Sequence, residues 1–279
     1  MQEMLRCLCL ALSLGLILPA GQALAQNAGD PPAREGVDVG RNSAFARLVP
    51  AEEVEASANK QYQSLLRQAA DQNALAGPNH PQLIRLRGIA EKLIPFAYSW
   101  NSRARNWKWE VNLLGSKQIN AFCMPGGKIV FFTGILEQLK LTDDEVAQIM
   151  GHEIAHALRE HARERMGKSA ATNIGAGLLS QVLGLGDLGR TVTNYGAELL
   201  TLKFSRDNET EADLVGLELA ARAGYDPRAG ITLWRKMQAA SKGAPPQWLS
   251  THPASDTRIS DIEKALPQVL PIYERASRN

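Results

Sequence analysis

Residues 142–166 read TDDEVAQIMGHEIAHALREHARERM, and the rest of the chain is organised around them. Thr142 is placed to cap a helix and Glu145 to close a capping box with it, while Asp143 and Asp144 put negative charge at the positive end of the helix dipole. The stretch predicts one long helix. Residues four apart on a helix lie nearly one above the other, so the imidazoles of His152 and His156 can converge on one ion. Glu153, about 100° round from His152, cannot be a third equivalent ligand but can reach a water beside that ion. The HExxH spacing thus supplies two ligands and a base. For these letters alone, a chance match in a charged amphipathic helix is the alternative. His161 falls on the opposite side of a continuous helix from His152 and is not expected to be a ligand.

The third ligand is sought downstream, in SRDNETEADLVGL at 205–217. Leu214, Leu217, Leu219, Ala220 and Ala221 support a helix ending at Gly224, with Asp226-Pro227 opening another. Glu209 and Asp213 stand on one face of it. A catalytic zinc takes three protein ligands and keeps one position open, and His, His and Glu is a standard set. Glu209 is therefore the candidate third ligand. Asp213, one turn on, can accept a hydrogen bond from the outer nitrogen of a ligating imidazole and fix its tautomer. The alternative for this pair is a charged surface helix. Glu211 points to the other side and reads as a solvated carboxylate.

The chain has 279 residues, 44% of them hydrophobic and 22% charged, enough for a globular core of one or two domains. A net charge of only +2 carries no electrostatic footprint for nucleic acid, and no such partner is expected. No internal repeat is visible. At the amino terminus Arg6 precedes an apolar run, Leu8 to Leu18, that ends in Pro19, Gly21 and Ala23-Leu24-Ala25. Residues 1–25 therefore read as a secretory signal cleaved after Ala25, with a retained anchor as the alternative. Loss of Cys7 and Cys9 with it would leave Cys123 as the sole thiol, so no internal disulfide is expected.

Residues 26–49 are rich in Gly, Pro and small polar residues and read as a flexible leader. A helical period runs from Pro50 to about Ala76, and a second helix starts at Pro81 with His80 at its mouth. Between Trp107 and Gly134 the period shortens to three strands, KWEVNLLG, QINAFCM and KIVFFTG, followed by a short apolar helix from Ile135 to Leu139. A sheet edge at Asn120, Ala121 and Phe122 can hold a peptide as an added strand; a plain core strand is the equal alternative. Cys123 reads as a buried, inert thiol because no basic neighbour would lower its pKa. The uncharged segment 169–186 reads as a lid or connection, or more sharply as a surface for peripheral membrane contact or an apolar substrate.

Four motifs in this order carry a resemblance: NAFCMPGGKIVFFTGIL at 120–136, GHEIAHALREHARER at 151–165, the 205–217 stretch, and LSTHPASDTRI at 249–259. The chain resembles the zinc metallopeptidases typified by the CAAX prenyl endopeptidase (HExxH…ExxxD), a family with soluble periplasmic and mitochondrial quality-control relatives. The resemblance implies an α+β fold over residues 50–279, a mainly helical metallopeptidase domain with a small β-sheet beside the HExxH helix. It implies one Zn2+ per chain on His152, His156 and Glu209, with Glu153 as general base and Asp213 orienting a ligand. It also implies that His252 is a self-inhibitory fourth ligand or an oxyanion donor, and that Arg258 partners a ligand or the oxyanion. Simple capping of a last helix, Ser255 to Leu266, is the alternative for His252.

The expected function is zinc-dependent endopeptidase cleavage of unfolded or misassembled envelope proteins in the periplasm. The alternative is a periplasmic chaperone or assembly factor for outer-membrane proteins that uses the same cleft with a latent zinc site. Expected partners are such polypeptides, with peripheral contact to the membrane or to outer-membrane assembly machinery. The chain departs from membrane members of the family in lacking several long apolar spans, and from larger periplasmic members in ending at Asn279 without a helical repeat domain.

Overall fold

A computed structural model describes residues 35–182, 199, 203–241, 246–252 and 257–278, so the signal segment 1–25 lies outside the described residues. The chain enters through a strap, residues 35–50, that includes a short 3-10 turn at Ala44–Leu48. Of the flexible leader expected over 26–49, residues 26–34 lie outside the described residues, while the part from residue 35 packs on the body: Val37 and Ala46 are buried, and the Val37 N–H donates to Glu218 at 2.9 Å. Helix α1 (Ala51–Asp71) follows, burying Val54, Ala58, Tyr62 and Ala69 at helical spacing. It stops at Asp71 rather than near Ala76, because Leu75 turns away to bridge Leu114. Helix α2 (Pro81–Ala97) begins as expected, with Pro81 in its first turn and His80 capping it through Nδ1.

The three strands are β1 (Glu110–Leu114), β2 (Ala121–Met124) and β3 (Lys128–Phe132). They form one sheet in the order β1-β3-β2, with β1 parallel to β3 and β2 antiparallel to it in a hairpin that sets Cys123 opposite Ile129. The hairpin turns at Gly126 and Gly127, both at positive φ, and a Cβ on Gly127 would lie 2.7 Å from the Trp109 ring, so only glycine fits there. β2 is left at an edge of the sheet.

After the short α3 (Thr133–Gln138) comes α4 (Asp143–Leu158), entered through the capping box of Thr142 and Glu145. Every residue from Glu145 to Leu158 is buried, so α4 is the central rod of the fold. β2 lies along one side of it, α6 (Arg206–Arg222) crosses another, and α2 and α7 (Ala229–Ala240) complete the shell. Each large apolar side chain fully buried here, such as Ile149, Met150 or Ile154, stabilises the fold by about 1.5–3 kcal/mol. The fold is α+β and mostly helical, as the resemblance implies.

The single long helix expected over 142–166 is two. α4 ends at Leu158, Glu160 adopts a left-handed φ of 59°, and α5 (His161–Val182) starts in a new direction. The uncharged segment 169–186 continues α5 as far as Val182, and residues 183–186 lie outside the described residues. α8 (Gln247–Thr251) and α9 (Thr257–Ala276) close the domain; His252 caps α8 at its carboxyl end, not α9 at its start. Among the described residues no helix is long and apolar enough to cross a membrane.

Candidate metal centre

His152 and His156 project from α4 on one face, as their spacing requires, with their Nε2 atoms 3.0 Å apart. α6 brings Glu209 to the same point: its carboxylate oxygens lie 3.6 Å from each of those nitrogens. The close approach of the two helices depends on Gly151 and Gly216, which stand where they cross. α6 itself is started locally by the Ser205–Asn208 capping box.

His252 joins this group from the end of α8. The four donor atoms of His152, His156, Glu209 and His252 all lie within 4.8 Å of one another and all four residues are buried. The set fits zinc on two counts. Zinc–ligand distances of about 2.0–2.2 Å put tetrahedral donors roughly 3.3–3.6 Å apart, close to the spacing of the first three. Glu209 Oε1 and His252 Nε2 are also buried without a hydrogen-bond partner, a costly state that a cation would relieve. His252 Nδ1 sits against Thr251 Oγ1 and the Trp248 carbonyl, which leaves its Nε2 lone pair directed at the cluster.

Behind the ligand atoms lies a dense ionic layer. His152 Nδ1 donates to Asp213 Oδ1 at 2.9 Å, the contact that an orienting carboxylate would make. Arg258 is buried, donates to both Asp213 oxygens and to Glu209 Oε2 at 2.6 Å each, and stacks 3.7 Å over the Trp234 ring. It thus bridges the Asp213 and Glu209 carboxylates. Burial pulls the His152 imidazole down to about 4, against the pull of Asp213, and holds His156 well below its usual value. Both rings are therefore neutral at neutral pH, the form that binds metal. Burial raises Asp213, but Arg258 and the His152 hydrogen bond overcome it and hold the acid at about 2. Burial also lifts Glu209 to about 9 despite Arg258, the mark of a carboxylate whose charge the protein alone does not balance.

Glu153 sits on the cleft side of the cluster. Trp248 Nε1 donates to its Oε1 at 2.6 Å, and its Oε2 lies 3.6 Å from His252 Nε2. Burial raises Glu153 to about 8, countered in part by Trp248, by the charge of Arg258 and by the Cys123 N–H. The cleft beside it is walled by Asn120, Ala121 and Phe122, with Phe204, Ala157 and Arg163 opposite. Ala121 and Phe122 lie in β2; Asn120 precedes the strand and accepts from the Phe132 N–H through its carbonyl. Cys123 is buried, and burial followed by the Glu153 charge pushes its thiol well above the usual value, as an inert thiol requires.

Two residues read otherwise from sequence lie against the cluster. His161 is buried and its Nδ1 is 2.9 Å from His156 Nδ1, because the break at Glu160 redirects the chain. Glu211 is not a solvated carboxylate: it accepts from Arg159 and lies 3.2 Å from His161 Nε2. Trp248, which sequence reasoning passed over, carries no local signal, since its contact with Glu153 spans 95 residues.

The chain is 33% identical to the mitochondrial metalloendopeptidase OMA1 of Saccharomyces cerevisiae over 78% of its own length and 65% of the relative's. It is 35% identical to the mitochondrial metalloendopeptidase OMA1 of Homo sapiens over 60% of the chain and 34% of the relative. It is 30% identical to the β-barrel assembly-enhancing protease of Escherichia coli over 60% of the chain and 36% of the relative. The chain thus spans between about a third and two thirds of these relatives. The periplasmic location expected from the leader and the resemblance is overturned here. The relatives matched at higher identity are mitochondrial by name, and an apolar leader with one arginine does not by itself specify an envelope compartment. A model of peptidase family M48 matches residues 84–266, from α2 into α9. Because that match takes in both helices that bring the donors together, as well as the arginine that joins them, the chain belongs to peptidase family M48.

Proposed function

We propose that this member of the family is a zinc metalloendopeptidase acting on unfolded or misassembled polypeptide in a quality-control role, with His152, His156 and Glu209 as the zinc ligands. The observation that carries the reading is the convergence of these three buried side chains from two helices beside a cleft walled by an edge strand. An unfolded chain can lie along β2 as an added strand, held mainly through its backbone, so recognition tolerates many sequences. Mitochondrial metalloendopeptidases and a β-barrel assembly-enhancing protease among the relatives support peptide-bond cleavage as the reaction.

Zinc held by these residues would lower the pKa of a bound water to about 7 and would polarise the scissile carbonyl. Glu153 takes up the proton of the attacking water on Oε2 and returns it to the leaving amine. Trp248 holds the other oxygen, Oε1, and so sets the orientation of the base. Asp213 and Arg258 keep His152 and Glu209 in register. Phe204 and α4 line the inner face of the cleft.

A second reading is favoured by the position of His252 among the donors: the site rests latent, and the cleft holds unfolded chains rather than cutting them. Degradation of unfolded casein by the purified protein separates the two. The peptidase reading expects cleavage that a chelator stops and that Glu153→Gln abolishes, with His252→Ala at least retaining zinc. Casein bound but not cut by the wild type and by His252→Ala alike would support the holding role instead.

A further inference from the structure

The two ligand imidazoles are held from behind in different ways. His152 Nδ1 meets a carboxylate directly, Asp213, whereas His156 Nδ1 meets another imidazole, His161, at 2.9 Å. His161 is buried, 1% exposed, and its far nitrogen, Nε2, is 3.2 Å from Glu211 Oε2. Arg159 donates to the other oxygen of Glu211 and to the Gly40 carbonyl, and so anchors the outer end of the chain of contacts. Phe204 stacks on the His156 ring, 4.0 Å between centroids and 26° between planes, which limits its rotation.

Two ring nitrogens that face each other at this distance bond only if one carries a proton and the other a lone pair. His156 Nε2 points at His152 and Glu209, so to act as a ligand it must be bare, and the ring's proton must be on Nδ1. His161 Nδ1 must then accept, which places the His161 proton on Nε2. An ionised carboxylate can only accept, and Glu211 is the group that meets that nitrogen. The opposite arrangement puts a proton on His156 Nε2, in the space a cation would occupy.

We propose that His161 and Glu211 are positioning residues for the metal: Glu211 sets the tautomer of His161, His161 sets that of His156, and His156 Nε2 is thereby presented as a lone pair. The proposal rests on His156 being a zinc ligand. Partners of this outer kind are worth roughly 10–100-fold in metal affinity.

The test is zinc affinity by chelator competition, with the unfolding midpoint of the metal-free protein measured alongside, on wild type, His161→Ala, His161→Asn and Glu211→Gln. His161→Ala is expected to weaken zinc about 10–100-fold. His161→Asn should recover much of that loss, because its amide oxygen can accept from His156 Nδ1–H. Glu211→Gln, nearly unchanged in shape, should weaken zinc as well, because its amide can donate to His161 Nε2 and reverse the tautomer. If His161→Ala does not fold, the other two variants carry the test. In zinc-loaded wild type, nitrogen-15 spectra should place the protons on His161 Nε2 and His156 Nδ1. Variants that are less stable yet bind zinc like the wild type would overturn the proposal, as would a proton on His161 Nδ1. Wild type that binds no zinc would instead overturn the ligand assignment on which it rests.

Discussion

Gly151 of α4 and Gly216 of α6 meet backbone to backbone: a Cβ built on Gly216 would lie 2.6 Å from the His152 nitrogen, and one on Gly151 would lie 2.7 Å from the Gly216 carbonyl oxygen. The obstacle on each side is main chain and cannot swing away. This contact sets how near the Glu209 carboxylate comes to the two imidazoles, because Glu209 and the histidines ride on the same pair of helices. Gly216→Ala is therefore expected to cost about 1–3 kcal/mol of stability and to weaken zinc binding at the same time. Denaturant unfolding and chelator competition on the purified variant read the two effects; normal zinc affinity would show that the helix spacing does not set the site.

Arg258 lies between two buried carboxylates, Asp213 and Glu209, and its removal leaves both without their guanidinium. Arg258→Ala is expected to lower stability by about 3–5 kcal/mol in the metal-free protein, with added zinc recovering part of it by binding the folded site. Arg258→Lys should restore little, since a point charge cannot reproduce the forked contacts to Asp213. Thermal melts with and without zinc check both; an unchanged melting temperature for Arg258→Ala would contradict the ionic account.

Acid stability is tied to the start of α4. Burial raises Glu145, but Lys236, the Thr142 N–H and the Thr232 hydroxyl outweigh it, and the carboxyl is held below 4.5 in the folded protein. A depressed folded pKa means that stability is fully present above the unfolded value and lost as pH falls through the folded one. The contribution of Glu145 is thus intact at neutral pH and fades below about pH 4.5. Glu145→Gln should lower stability at pH 7 and flatten the acid limb of the unfolding midpoint against pH; an acid limb as steep as wild type would refute the assignment.

What was legible in the chain follows the range of the interactions. The capping box of Thr142 and Glu145 and the i, i+4 pair of imidazoles are local to one helix, and both stand as read. Glu209 and Asp213 were legible because they repeat the same spacing on a second helix. The break at Glu160 was not: a left-handed φ there costs about 1–2 kcal/mol for a residue with a Cβ, and neither glycine nor asparagine marks the site. The surroundings offset that cost through the burial of His161 and its contacts with His156 and Glu211, groups that no local window brings together. The packing of residues 35–50 was not legible for the same reason, since Val37 is tied to Glu218 across 181 residues. Trp248 reaches Glu153 only once α8 has folded back on α4.

Removing the base tests the chemistry apart from the fold. Glu153→Gln keeps the side-chain shape and an oxygen for Trp248 to bond, so zinc content and unfolding midpoint should match the wild type. Cleavage of an unfolded protein should fall by at least about 10²–10⁴-fold, read as kcat/KM on a fluorogenic casein. Cleavage near the wild-type rate by the pure variant would remove Glu153 from the reaction.

The central claim, that side chains at 152, 156 and 209 meet around one cation, is most directly tested by metal analysis of the purified wild type beside Glu209→Ala and His156→Ala. The expected result is about one zinc per wild-type chain and a small fraction of that in either folded variant. A full equivalent of zinc retained by Glu209→Ala would contradict it.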